Sequence, residues 1–218
     1  MLSTETFKYS TVQSFSITVQ SFSKMITENQ NKVLRFLSTG SINENYTRNV
    51  AKECNIAVSG SQWILNHLEN QGILNHQDIG NIKSYKIDFN DKSKDILILA
   101  YSDNLNNKLE NRKRELESLK EFSKSAIVFG SYLNKKEPND IDILFILEKN
   151  SDYISFNKKL KEARHIVPIK IHAVLQTKKD LIENIKKKDK IVINALRNGL
   201  VLWGNKFIVG VLEDVNTK

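Results

Sequence analysis

Two aspartates, Asp140 and Asp142, stand two positions apart at the start of an apolar run that continues to Leu147. Residues two apart on a β-strand point to the same face of the sheet, with Cα atoms about 6.6 Å apart. Two carboxylates held together on one face repel each other unless a cation lies between them or one is protonated. Because Mg²⁺ prefers carboxylates, phosphate oxygens and water as ligands, this spacing favours a magnesium site.

A Gly-Ser pair, Gly130 and Ser131, precedes the aspartates and ends an apolar run over residues 126–129 that predicts a buried strand. Glycine lets the backbone approach a ligand closely, and a helix beginning at Ser131 would direct N–H groups at phosphate. Lys135 and Lys136 lie in the polar loop between the two halves of the motif, where we expect them to meet phosphate charge. Together these residues predict a site for a metal-bound nucleoside triphosphate.

The composition of the chain limits the classes of protein and partner that fit this site. The chain has 218 residues, enough for one or two domains, and its 40% hydrophobic and 27% charged residues exclude a wholly disordered chain. A net charge of +8 favours polyanionic partners. The single cysteine, Cys54, excludes a disulfide framework or a Cys-based zinc site within one chain. No apolar run approaches the roughly 20 residues of a membrane span, so we expect a cytoplasmic protein without membrane contact.

The N-terminus carries a short direct repeat. The sequence Thr-Val-Gln-Ser-Phe-Ser occurs at residues 11–16 and again at 18–23, and Met25 follows. The repeat is too short to be a solenoid unit. We expect residues 1–25 to be a flexible extension. Whether translation starts at Met25 or the segment is a native tail stays open.

Residues 26–90 show the pattern of three helices and a hairpin. Helical spacing predicts a helix over 28–38, a short helix over 48–54 capped by Thr47, and a third over 60–71. The third helix is expected to begin with a capping box at residues 59–62 and to end at Gly72. β-Prone runs on either side of residues 78–81 predict the hairpin. This order resembles a winged helix-turn-helix domain, which implies that 60–71 is the recognition helix and the hairpin is the wing.

The winged-helix resemblance implies a set of DNA-contacting residues. Gln and Asn can pair with adenine in the major groove, and cations can meet phosphates. DNA readers usually carry Arg or Lys on the recognition helix, but none lies between Gly60 and Gln71. Winged helices also dock proteins, so both uses stay open, and Trp63 is expected to be a packing residue. The expected nucleic-acid contacts are Arg48, Lys52, Ser61, Gln62, Asn66, His67, Lys83 and Lys86.

Residues 91–124 are expected to form a connecting helix. From Asn104 to Ser123 there is no Gly or Pro, and strong helix formers dominate. A leucine stripe in this stretch is only about two heptads long, which favours packing on a neighbouring domain over a coiled coil. A homodimer through this region stays open.

One motif combines a strand, the Gly-Ser pair, a loop and Asp-Ile-Asp, and a helix-Gly-strand pattern follows over residues 195–204. Together they resemble the DNA polymerase beta-like nucleotidyltransferase superfamily, especially its minimal prokaryotic members. The resemblance covers residues 121–218. It implies an α+β fold in which residues 125–218 form a mixed β-sheet flanked by helices. It also implies that Gly130 and Ser131 hold nucleotide phosphates and that Asp140 and Asp142 ligate two Mg²⁺ ions. An acceptor hydroxyl would attack the α-phosphate and release pyrophosphate.

One position departs from the family pattern. The family's third carboxylate comes from a later strand, here residues 167–175, and the alternate positions where it would fall hold Lys170 and His172. A neutral His172 can ligate metal or act as a base near neutral pH. The plainer interpretation is a partly buried strand residue. Lys170 would repel a cation, so the second metal ion is in question.

Three functions follow from these observations. The first is Mg²⁺-dependent transfer of a nucleoside monophosphate, AMP from ATP by expectation, to a protein, nucleic-acid or small-molecule hydroxyl. By resemblance this includes an antitoxin-like role with a toxin partner. The second is a DNA-binding transcriptional regulator whose C-terminal domain binds nucleotide with little or no turnover. The third is a nucleic-acid-modifying enzyme that grips its substrate through the winged helix. The missing third acid favours the regulator, the missing basic helix disfavours DNA reading, and the first function is slightly preferred.

Overall fold

The computed structural model describes residues 26–102, 105–149 and 152–217. The expected N-terminal extension, residues 1–25, lies outside the described residues. Among the helices that the structure describes, none is both long enough and apolar enough to cross a membrane.

The first part of the chain is three helices followed by an antiparallel hairpin. The first helix has a capping box, because the Thr27 side chain accepts from the N–H of Gln30 and the Gln30 side chain accepts from the N–H of Thr27. The order of these helices and strands matches the expected order. That this region is a winged helix-turn-helix domain stays a prediction. The elements are α1 (Glu28–Thr39), a 3-10 turn (Ile42–Glu44), α2 (Thr47–Glu53), α3 (Val58–Asn70), β1 (Leu74–Ile79) and β2 (Ile82–Ile87).

Two expected helix caps in this region are wrong. Helix α3 begins at Val58, two residues earlier than expected, and no side chain caps it. Ser59, the expected N-cap residue, lies inside the helix, and the neighbouring Ser61 is buried, with its hydroxyl donating to the Thr47 carbonyl at 3.1 Å. The Thr47 hydroxyl donates to Gln62 Oε1 at 3.1 Å instead of capping α2. Thr47 and Gln62, both assigned to helix ends by local sequence, are therefore bonded to each other across the contact between α2 and α3.

The single connecting helix expected over residues 91–124 is also wrong. The chain forms α4 (Asp91–Ala100), α5 (Asn107–Glu115) and a 3-10 turn (Glu117–Glu121). Asn106 starts a new helix, since its side chain accepts from the N–H of Leu109 at 3.0 Å. The break lets buried leucines of this stretch pack on a four-stranded sheet, ahead of the strand that begins at Ser123.

The described residues also form a four-stranded mixed sheet with strand order β5-β4-β3-β6. Strand β4 pairs antiparallel with β3 and parallel with β5, and β6 pairs antiparallel with β3. Helices cover both faces, so the expected α+β class with a mixed sheet flanked by helices is confirmed. The elements are β3 (Ser123–Phe129), α6 (Ser131–Asn134), β4 (Asp140–Leu147), α7 (Asp152–Ile166), β5 (Lys170–Thr177), α8 (Lys178–Lys186), α9 (Lys190–Asn198), β6 (Leu200–Trp203) and α10 (Asn205–Thr217).

One hydrophobic core joins the N-terminal helices to one face of this sheet. Buried side chains of α1, α3 and α4 pack in the same cluster as Ile127 of β3 and Leu144 of β4. Arg35 of α1 is buried in this junction, where its Nε and Nη2 donate to the Ala100 carbonyl and its Nη1 donates to the Gly199 carbonyl at 2.6 Å. The opposite face packs on α5, the 3-10 turn after it and α7. The sheet is thus held rigidly between two layers.

Candidate active site

The Gly-Ser bend stands at the end of β3, directly beside Asp142. Phe129, the last residue of β3, pairs with Asp142 of β4. Gly130 has φ +77° and ψ −151°, a conformation that is essentially restricted to glycine. A Cβ on Gly130 would lie 2.6 Å from Asp142 Oδ2. The glycine is therefore needed to make room for this carboxylate, a role that the sequence did not reveal because the motif halves are twelve residues apart.

The two carboxylates converge on one nitrogen. Asp140 Oδ2 and Asp142 Oδ1 each lie 3.5 Å from Nδ1 of His172. The parallel register explains this, because Asp140 lies opposite Lys170 and Asp142 lies opposite His172. Both aspartates lie on one face of the sheet, as their spacing predicts. Their side chains are 34% and 32% exposed, so the carboxylates are half-buried yet open to solvent.

His172 is one of the two positions on β5, with Lys170, where the family pattern was expected to place a third acid. Its side chain is 44% exposed and faces the two carboxylates, so it is not the partly buried strand residue of the plainer interpretation. Lys170, opposite Asp140, is also exposed. The strand thus brings an imidazole to the site where a carboxylate was missing.

The donor set suits one hard cation better than two. Carboxylate oxygens are the protein ligands that Mg²⁺ prefers, and it readily completes its octahedron with phosphate oxygens and water. In the described ranges, no group of three or more His, Cys, Asp or Glu side chains is arranged to hold a metal ion. The residues present therefore fit one Mg²⁺ ion that arrives with a nucleotide and takes its other ligands from phosphate and water.

The remaining expected phosphate contacts lie on α6 and the loop after it. Ser131 is the half-buried first residue of α6, and Lys135 and Lys136 are exposed immediately after the helix. Tyr132 fixes α6 against the protein: it is buried, and burial raises the pKa of its hydroxyl. The ammonium of Lys108 on α5 lies 4.0 Å from the centre of the Tyr132 ring. This cation–π contact joins segments that are distant in the chain, so it could not be predicted from local sequence patterns.

Part of this chain resembles a known protein family. Residues 110–198 match the family model described as Polymerase beta, Nucleotidyltransferase. This segment is similar to a polymerase beta nucleotidyltransferase domain. The match runs from within α5 to the end of α9 and includes the Gly-Ser bend, both aspartates and β5. We refer to residues 110–198 as the nucleotidyltransferase segment. No curated protein matches the chain.

The polar residues expected to read DNA lie on α3, outside the nucleotidyltransferase segment. Ser61 is fully buried, so its expected DNA contact is wrong. Gln62 and Asn66 are exposed but bonded to each other, with Gln62 Nε2 donating to Asn66 Oδ1 at 2.8 Å. The Tyr85 hydroxyl also donates to Asn66 Oδ1, at 3.3 Å. Around this network, the expected phosphate contacts are all exposed: Arg48, Lys52, Lys83 and Lys86.

Trp63 of α3 is not the packing residue that was expected. It is 60% exposed and stacks on His67, with ring centroids 5.0 Å apart and planes 7° from parallel. Two large apolar side chains near the hairpin turn, Ile79 and Ile82, are also exposed. This end of the molecule therefore presents apolar side chains to solvent together with scattered cations.

Proposed function

We propose that the protein is a Mg²⁺-dependent nucleotidyltransferase that moves a nucleoside monophosphate, AMP from ATP, to a hydroxyl group of an acceptor. One observation carries the proposal: Asp142 lies against the Gly130 bend and shares a single neighbouring atom, His172 Nδ1, with Asp140. The family match over residues 110–198 supports the same reaction class. The acceptor classes considered are a protein, including a toxin partner, a nucleic acid and a small molecule.

Each residue of the site has a proposed role. Asp140 and Asp142 would hold Mg²⁺, which when bound neutralises phosphate charge and orients the triphosphate. Gly130 and Ser131 would contact the phosphates through their backbone and hydroxyl groups. The exposed Lys135 would add positive charge beside them, as would Lys136 next to it. Catalysis would then depend mainly on positioning and electrostatics.

The proposed reaction is an in-line displacement. The acceptor oxygen forms a bond to the α-phosphorus, and the bond from that phosphorus to the bridging oxygen of the β-phosphate breaks. Pyrophosphate leaves with the electron pair, and the proton of the acceptor hydroxyl passes to the ring of His172. We assign the proton to His172 because its ring nitrogen Nδ1 lies 3.5 Å from both carboxylates.

Labelled ATP tests the proposal. With Mg²⁺ and cell lysate, label from the α-phosphate should appear on a macromolecule, and label from the γ-phosphate should not. The double variant Asp140→Asn/Asp142→Asn should abolish the transfer, whereas Asp95→Asn, at an exposed carboxylate on α4, should not. Equal labelling by the double variant would contradict the proposal.

The role of His172 has its own test. His172→Ala should lower the transfer rate, and His172→Asp, which restores the family's third carboxylate, should keep transfer and make it dependent on a second divalent ion. Both variants should bind MgATP. If His172→Ala transfers AMP as fast as the parent chain, the histidine has no part in the reaction.

A second candidate function is a DNA-binding regulator that senses nucleotide through the nucleotidyltransferase segment. We propose it because exposed Arg48, Lys52, Lys83 and Lys86 flank α3, in the order of elements that a winged helix shows. Retention on DNA that falls steeply with salt, and that Lys83→Glu weakens, would support it. Retention unchanged by Lys83→Glu would count against it.

A further inference from the structure

A groove beside the site follows the free edge of the sheet. Among the strands that the structure describes, β5 is terminal in its sheet and pairs only with β4. A groove of about 840 Å³ runs along it, lined by Arg164 and residues 167–174. Its lining includes His172, the residue that faces both carboxylates. The groove therefore connects the sheet edge with the proposed reaction centre.

We infer that this groove is where a protein acceptor docks, by adding an extended, acidic segment as a further strand beside β5. The inference rests on the proposed function and narrows its acceptor class to polypeptide. An exposed sheet edge offers main-chain donors and acceptors that an extended peptide can pair with. The hydroxyl to be modified would be carried by this segment or by residues next to it.

The main chain of β5 is available at the centre of the groove. The Ile171 carbonyl accepts from Arg164 Nη2 at 3.3 Å, and the Leu175 carbonyl accepts from the Tyr153 hydroxyl at 3.4 Å. These α7 side chains show that odd-numbered β5 residues direct their main-chain groups away from β4. Ala173, midway between, has the same direction, and no hydrogen bond from outside the sheet reaches it within the described ranges. An added strand would find its free pairing position here.

The charge of the groove selects an acidic occupant. Two cations, Arg164 and Lys170, line it, and among the residues that the structure describes no carboxylate does. The other lining residues are apolar: Val167, Pro168, Ile169, Ile171, Ala173 and Val174. Single-stranded nucleic acid would need aromatic side chains on which its bases stack, and the lining holds none. An apolar floor with a cationic end and a free strand edge fits a peptide better.

The parallel register gives the docked segment a defined relation to the site. Because β4 and β5 run the same way, the first residues of β5 lie beside the two aspartates. A residue of the added strand that lies beside His172 would share its face of the sheet, and the next residue would point to the opposite face. Strand register would therefore decide which hydroxyl is modified.

The edge can be closed without disturbing the β4–β5 ladder. Ala173→Pro removes the outward N–H and places a ring on the free edge, a position where sheets tolerate proline. Ala173→Ser keeps the N–H and is the matched control. Arg164→Glu reverses charge at an exposed groove position and serves as a second, independent variant.

Fluorescence anisotropy with a labelled random copolymer of Glu and Tyr measures docking directly. The parent chain and Ala173→Ser should bind it, and Ala173→Pro and Arg164→Glu should each weaken binding by about tenfold or more while MgATP binding is kept. A copolymer of Lys and Tyr should bind less. Unchanged binding by both variants, or preferred binding of single-stranded RNA in the groove, would overturn the inference. So would a homodimer that Ala173→Pro dissociates, since a second copy would then occupy the edge.

The same probe separates this inference from the proposed function. Copolymer binding by Asp140→Asn/Asp142→Asn needs no catalysis, so edge-dependent binding without AMP transfer by the parent chain would uphold docking and reject the enzyme. AMP transfer to the copolymer that Ala173→Pro leaves unchanged would uphold the enzyme and reject docking.

Discussion

The polar side chains of the carboxylate site have few partners within the protein, whereas those on the outer face of α3 are bonded to one another. Asp140 and Asp142 converge on one face of the sheet, half open to solvent, with only the His172 ring within 4 Å as an ionic partner among the described residues. On α3, Gln62 and Asn66 are bonded to each other and to neighbouring hydroxyls. The first arrangement leaves charge that a ligand must complete. The second is already satisfied within the protein.

This difference bears on which region acts on a ligand. A network such as Gln62–Asn66 must break its own bonds before it can read a base, and that cost offsets the bonds gained. Two adjacent carboxylates gain from a cation without losing comparable partners. We therefore expect the nucleotidyltransferase segment to respond most strongly to substitution, and the face of α3 least.

The largest effect is expected at Asp142. Asp142→Asn should lower AMP transfer by more than about 100-fold, because a metal ligand contributes several kcal/mol to phosphoryl transfer. Gln62→Ala on α3 should leave the rate unchanged. Initial rates of pyrophosphate release measure both. A rate loss in Gln62→Ala that equals the loss in Asp142→Asn would remove the contrast between the two regions.

A large loss of stability is expected at the junction between them. Arg35→Leu leaves the buried carbonyls of Ala100 and Gly199 without their donors, which should destabilise the fold by about 2–5 kcal/mol. Arg114→Leu, at an exposed position, should change stability by less than about 0.5 kcal/mol. Urea unfolding followed by circular dichroism measures both values. Equal midpoints for the two variants would show that the regions do not depend on a shared core.

Two glycines, Gly130 and Gly210, test whether the bend beside Asp142 requires glycine. Gly130→Ala should cost about 1–3 kcal/mol, because the residue has positive φ and the new Cβ would press on Asp142. Gly210→Ala, within α10 and with open space around it, should stabilise the protein by about 0.5–1 kcal/mol. Thermal unfolding gives both signs. Transfer activity should fall only in Gly130→Ala, and a fully active Gly130→Ala variant would separate the bend from the site.

The smallest effect is expected at Trp63. Since its side chain is 60% exposed and stacks only on another surface ring, Trp63→Ala should change the free energy of unfolding by less than about 0.5 kcal/mol. Leu65→Ala, at a fully buried position two residues further along α3, should lower the free energy of unfolding by about 2–5 kcal/mol. A loss of several kcal/mol in Trp63→Ala would mean that the aromatic stack supports α3.

The strand-borne part of the site was accessible from sequence because its geometry is local. Spacing of two on a strand fixes a common face, so Asp140 and Asp142 could be paired before any coordinates. The α+β class followed from helical and apolar patterns in the same way. The position of His172 could be placed on its strand, but its approach to both aspartates depends on the register between β4 and β5, which is a tertiary property.

Features that depend on distant contacts could not be predicted. Thr47 and Gln62 have capping chemistry, but the packing of α2 on α3 joins their side chains to each other. By contrast, the break before α5 was accessible from sequence, because residues 102–106 include Ser, Asp and Asn, which favour caps and turns over helix interiors. Trp63 illustrates the reverse case, since a large aromatic residue is usually buried and only the structure shows it exposed.

Isothermal titration of ATP, with and without Mg²⁺, tests the central claim most directly. We expect Mg²⁺ to strengthen ATP binding to the parent chain by at least about tenfold and to have no such effect on Asp140→Asn/Asp142→Asn. ATP binding that is equally tight without a divalent ion, or equally strengthened by Mg²⁺ in the double variant, would contradict it.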